Sequence, residues 1–135
     1  MKIGLVTPYI YPTPGGVNEH VDHLYRNLRL RGHDVRIISA SHGFQRSTEG
    51  DIIRLGKGFS VPANGSMGTL TLSPRYASQV RRTIAEEHFD LLHFHEPFVP
   101  FLSPLLLRES RSVNVATFHA YGGFSPAYEL GSRFL

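Results

Sequence analysis

The stretch "HFHEP" sets His93 and His95 two residues apart, with Glu96 next to the second. A further histidine, His119, follows the apolar run "VATF" and precedes "AYGG". On an extended chain, residues two apart point the same way, so His93 and His95 share one side. Imidazoles in that arrangement can ligate a metal ion, or donate and accept hydrogen bonds at neutral pH. The spacing offers no third ligand, so hydrogen bonding is the more economical reading and no metal or other cofactor is expected.

"YPTPGGVNEH" (11–20) carries a second kind of chemistry. Gly15 and Gly16 stand where an apolar run gives way to helical periodicity. Backbone N–H groups at a helix mouth, with no side chain in the way, suit an anion such as a phosphate. The glycines match neither G-x-G-x-x-G nor G-x-x-x-x-G-K-[ST]. On the local pattern alone, a structural turn and an anion site both stay open. A third group is Arg75, Arg81 and Arg82, a basic cluster with Tyr76, Val80 and Ile84 interleaved. It reads either as a solvated helix face or as a surface that lies on anionic lipid.

These residues need elements to hold them. "KIGLVTPY" (2–9) is apolar on both faces, the habit of a strand covered by helices on both sides. Val17, Val21, Leu24 and Leu28 recur at three and four residues and predict a helix over 17–31, stopped by Gly32. "HDVRIISAS" (33–41) supplies a second strand and completes a βαβ unit. A short strand is expected at 51–55, then a Gly- and Ser-rich loop with a hairpin around Asn64-Gly65. Ser73-Pro74 opens a helix through about His88. "FDLLHFHE" (89–96) and "VNVATFHA" (113–120) read as strands, with a short helix within 98–110 between them. This alternation predicts a doubly wound, mainly parallel α/β sheet. Ligands bind such sheets beyond the carboxyl ends of the strands. Tyr9, Ser41, His42, His95, Glu96 and His119 all fall there.

Bulk properties exclude several classes. A hydrophobic content of 41% and a charged content of 19% describe an ordered globular chain rather than a disordered one. No cysteine is present, so disulfides and thiolate chemistry are excluded. A net charge of +3 is too weak to argue for nucleic acid. There is no signal-peptide pattern and no apolar run of the roughly 18 residues that span a bilayer. A soluble or surface-attached protein is expected.

Taken together, "MKIGLVTPYIYPTPGGVNEHVDHLYRNLRLRGHDVRII", "VPANGS", "FDLLHFHEPFVPFLSPLLL" and "VATFHAYGG" resemble the N-terminal half of the GT-B-fold glycosyltransferases of family 4, above all the bacterial phosphatidylinositol mannosyltransferases. The resemblance implies a Rossmann-like domain over 1–135, the acceptor side of a two-domain retaining enzyme whose donor-binding domain is absent here. It implies a nucleotide-sugar donor, GDP-mannose or a UDP-sugar, and a lipid or other acceptor, at the cytoplasmic face of a membrane and without a structural metal. Gly15 and Gly16 are implied contacts of the donor diphosphate, His119 of the transferred sugar, and Tyr9, Asn64 and Ser66 of the acceptor. The chain departs from that pattern at Thr13, at "GTLTL" (68–72) and at "AYGGF" (120–124), which points away from an inositol phospholipid as acceptor. Alone, the chain is expected to be inactive and to self-associate. The contrasting expectation is a non-catalytic folding unit or binding module.

Overall fold

The computed structural model describes residues 1–43, 46–57, 59–63, 66–70 and 74–119; for 57, 59–63, 66–70 and 74–75 it describes the backbone. Strand β1 (Lys2–Ile10) leads through a turn into helix α1 (Gly16–Leu30), which returns to β2 (Asp34–Ser41). A short β3 (Ser47–Glu49) and β4 (Ile52–Lys57) follow, then β5 (Phe59–Ala63) and β6 (Ser66–Leu70). Helix α2 (Pro74–Glu87), β7 (Leu91–His95), α3 (Leu102–Glu109) and β8 (Val113–Thr117) complete the described chain.

Six strands form one sheet in the order β3-β4-β2-β1-β7-β8. Every pairing is parallel except that of β3 with β4. β5 and β6 pair antiparallel as a separate ribbon, with Ala63 opposite Ser66. The expected hairpin is therefore present, although its turn residues Asn64 and Gly65 lie outside the described residues, as does the expected N-cap Ser73. β3 was not anticipated. Its three residues are all exposed and carry no apolar alternation to reveal them.

The two faces of β1 explain its double apolar pattern. Ile3 and Leu5 join Val35, Ile37 and Val21 of α1 in one core, with Leu24 and Leu28 packed against it. Val6, Ile38, Leu92 and Phe94 face the other way, onto Tyr76 and Val80 of α2 and Leu102 and Leu106 of α3. Helices thus cover both faces, and the doubly wound expectation holds. At Gly4 the strand passes so close to β7 that a β-carbon would come 2.6 Å from Leu92 Cδ2. Gly32 ends α1 in the left-handed conformation (φ 82°), its N–H donating to the Arg29 carbonyl, the geometry that glycine meets without a steric penalty. Among the described residues, no helix is long and apolar enough to cross a membrane.

Because β1, β2, β7 and β8 run parallel, their carboxyl ends lie along one edge. The turn from β1 into α1 sits on that edge too.

Candidate functional site

The β1–α1 turn is tied down by a residue the periodicity passes over. Asn18, only 6% exposed, donates from Nδ2 to the carbonyls of Ile10 (3.0 Å) and Thr13 (2.8 Å). Its Oδ1 accepts a hydrogen bond from the Thr7 hydroxyl at 2.9 Å. Both Nδ2 partners are carbonyls, so the chemistry of the contacts fixes the amide orientation. Tyr11 braces the other side, its hydroxyl donating to Asp22 at 2.8 Å. Burial and that bond hold the phenol un-ionised, with its pKa raised to about 12.

On this frame Gly15 is the N-cap of α1 and makes no side-chain cap; its carbonyl accepts from the Glu19 N–H. The first turn of any helix leaves N–H groups without a partner inside the helix. A β-carbon built on Gly15 or Gly16 meets no described atom within 4 Å. Gly15 is extended, and Gly16 is ordinary helix. Neither internal packing nor backbone conformation requires glycine here, in contrast to Gly4 and Gly32.

β7 and β8 deliver the imidazoles. His95 is fully buried and lies opposite Thr117 in the ladder. Its Nδ1 is 2.9 Å from His119 Nε2, with the two rings stacked at 5.2 Å between centroids. His93 stacks on His95 from below (4.4 Å) and reaches the Thr117 hydroxyl at 2.7 Å through Nε2. Glu96 takes a positive φ of 53° and is 3% exposed. Its Oε1 accepts the backbone N–H of His119 at 2.6 Å, while its own N–H donates to the Thr117 carbonyl. A non-glycine residue in that region is uncommon and clusters at functional sites. Here it turns the carboxylate across to fix the position of His119.

The second turn of α1 adds a residue sequence spacing missed. His20 packs edge-on against both His119 (5.0 Å) and His95 (5.5 Å). Three elements distant in sequence thereby meet at one point, with the glycine mouth one helical turn from His20. Burial above all, with the neighbouring imidazoles adding to it, pushes His95 down to about 3 and also lowers His93 and His119. The nearby Glu96 carboxylate opposes the shift of His119. These three rings are neutral at pH 7.

The remaining expected site residues are scattered. Tyr9 is on the same edge, half-buried, its N–H donating to the Thr7 hydroxyl. Asn64 lies outside the described residues, and Ser66 opens β6. Arg81 and Arg82 are exposed on α2, but each has a carboxylate nearby: Glu86 at 2.6 Å for Arg82, Glu109 at 3.8 Å for Arg81. Arg75 opens the same helix beside Pro74. A cavity of about 560 Å³ lined by Arg81, His88, Phe89 and Arg111 lies at the opposite end of the sheet, before β7 and β8, away from the imidazoles.

The model of glycosyltransferase family 4 matches residues 14–134. The phosphatidyl-myo-inositol mannosyltransferase of Mycobacterium leprae is 40% identical over 119 residues, 88% of this chain and 32% of that protein. The protein of the same name from Mycolicibacterium smegmatis is also 40% identical, over 88% and 31% of the two chains, and that from Propionibacterium freudenreichii is 34% identical, over 88% and 33%. The chain spans about a third of the length of these curated relatives. Among solved structures, sucrose-phosphate synthase from Thermosynechococcus elongatus superposes with a TM-score of 0.56 at 18% identity, over 90% of this chain and 33% of that one. That likeness shows the fold, the Rossmann-like α/β architecture expected of one GT-B half. With a family match that covers nearly the whole sequence, the chain belongs to glycosyltransferase family 4.

Proposed function

We propose that this chain forms the acceptor-side half of a retaining glycosyltransferase that moves a sugar, mannose by preference, from a nucleotide donor to a lipid acceptor at a membrane surface. The names and identities of the relatives support mannose and a lipid. The observation that carries the reading is the meeting of His119 with His20 of α1, a helix whose mouth holds two glycines that packing among the described residues does not need. A diphosphate approaching that mouth would find helix N–H groups unobstructed. A sugar attached to it would reach the strand ends where His119 stands.

In this arrangement the chain's own contribution is positioning and electrostatics. The helix N-terminus opposes the negative charge that grows on the departing diphosphate. His119, neutral and held by Glu96 and His95, presents a hydrogen-bonding nitrogen to the sugar. Tyr9, with Asn64 and Ser66, is assigned to the acceptor.

The test is turnover by the intact protein with GDP-mannose and with UDP-sugars, against phosphatidylinositol and total lipid extracts. His119→Ala is expected to lower kcat by about 10²-fold or more while the melting temperature stays near the parent's, because a positioned hydrogen bond acts mainly in the transition state. Absence of sugar transfer from every donor, or a His119→Ala enzyme with parental kcat, would overturn the proposal.

A further inference from the structure

His20, His95 and His119 offer one ring nitrogen each, and these three atoms lie within 4.8 Å of one another. Within the trio, His95 Nδ1 and His119 Nε2 are 2.9 Å apart. Two imidazole nitrogens bound to a tetrahedral zinc ion at about 2.0–2.1 Å stand roughly 3.3 Å from each other. The pair therefore needs to part by only about 0.4 Å to admit an ion in place of their hydrogen bond.

The three rings differ in how they are held. His95 and His119 sit at the ends of neighbouring parallel strands, and the Glu96 carboxylate fixes the backbone of the second. Their positions are set before any ligand arrives. His20 is exposed on the second turn of α1 and is free to swing toward them. The buried His95 ring also carries a second nitrogen, Nε2, with no hydrogen-bond partner among the described residues. With Nδ1 given to an ion, Nε2 keeps the ring proton.

We infer that His20, His95 and His119 form a tridentate site for a first-row transition cation, with the fourth position open to water on the His20 side. Three imidazoles and no carboxylate select zinc, cobalt, nickel or copper over magnesium and calcium, which prefer oxygen. The trio was invisible in the sequence because its members come from α1, β7 and the end of β8. The inference rests on this geometry and stands apart from the sugar-transfer reading.

The experiment uses the full chain, freed of any affinity tag, titrated with Zn²⁺ by calorimetry and with Co²⁺ by visible absorption. One equivalent of Zn²⁺ is expected to bind with a dissociation constant of about micromolar or tighter, and Co²⁺ to give the intense bands of a four-coordinate ion. His20 is the ligand to remove first, since it is exposed and its loss leaves the core intact. His20→Ala should weaken Zn²⁺ binding by about tenfold or more, whereas His23→Ala, also exposed on α1, should leave it unchanged. Excess Mg²⁺ should not compete. Circular dichroism confirms that each variant is folded. No saturable Zn²⁺ binding by the parent, equal affinity in His20→Ala, or displacement by Mg²⁺ would each overturn the inference.

Discussion

Replacing Asn18 with alanine removes three hydrogen bonds from the β1–α1 turn at once. Their fates differ. The Ile10 carbonyl keeps a second donor, the Thr13 N–H at 3.1 Å, and Thr13 is exposed, so water replaces the amide at its carbonyl. The Thr7 hydroxyl still accepts the Tyr9 N–H at 3.3 Å, but Thr7 is fully buried, and its own proton would point into the space left by the amide. A buried hydroxyl proton left without an acceptor costs about 1–3 kcal/mol, and each lost but compensated bond about 0.5–1.5 kcal/mol. The sum is about 2–6 kcal/mol, a substantial part of the roughly 5–15 kcal/mol that keeps a domain folded. Urea unfolding followed by far-ultraviolet circular dichroism is the assay, since the chain has no tryptophan. Asn18→Asp makes a second probe. It keeps an acceptor for Thr7 but sets carboxylate oxygen against two carbonyls, and should be no more stable than the alanine variant. A loss below about 0.5 kcal/mol for Asn18→Ala, with unchanged dependence on urea, would refute the idea that this amide organises the turn.

Three further outcomes follow from the same geometry. Gly4→Ala should destabilise by about 1–3 kcal/mol, because its β-carbon would press on Leu92 and Phe89; a urea midpoint equal to the parent's would show that β7 yields freely. Gly16→Ala meets open space and should leave stability nearly unchanged, yet weaken nucleotide-sugar binding in the intact protein about tenfold or more; calorimetry that finds parental affinity would remove the diphosphate from this mouth. Tyr11 should ionise late, near the raised value of about 12. Since the folded state favours its neutral phenol, this stabilisation is complete below the ordinary value near 10 and fades as pH climbs through about 12. Phenolate absorbance should show a late-titrating tyrosine that Asp22→Asn shifts back down, and a Tyr11→Phe variant with the same late phase would refute the assignment.

The elements that carry a strong period were legible in the sequence. Val21, Leu24 and Leu28 lie on the buried stripe of α1, and the two-sided apolar run of β1 does sit between helices. The strand ends that bear Tyr9, His95 and His119 could be placed on one edge because parallel strands all end there. Asn18 and His20 were not legible. Both occupy polar positions on an amphipathic helix, where the pattern says only "away from the core". Their roles depend on how the turn folds back over β1 and on β8 lying beside β7, facts of tertiary assembly that no local spacing encodes. Nor does the sequence distinguish Gly4, which packing demands, from Gly15 and Gly16, which it does not.

The central place of β1 has a consequence for the order in which the protein is built. The buried residues of its first core run from Ile3 to Ile37, with Leu91 of β7 the one late arrival packed against them, so the chain can close most of that face soon after α1 and β2 leave the ribosome. The opposite face awaits α2, β7 and α3, as far as Leu106. At about 5–20 residues per second, the roughly 85 residues between the end of β1 and the end of β7 take on the order of 4–17 seconds to synthesise. Through that interval Val6 and Ile38 stand uncovered beside the unpaired edge of β1. The nascent βαβ unit is thus a half-built layer, apolar on its open side, and it is at this stage that a chaperone would find the most to bind.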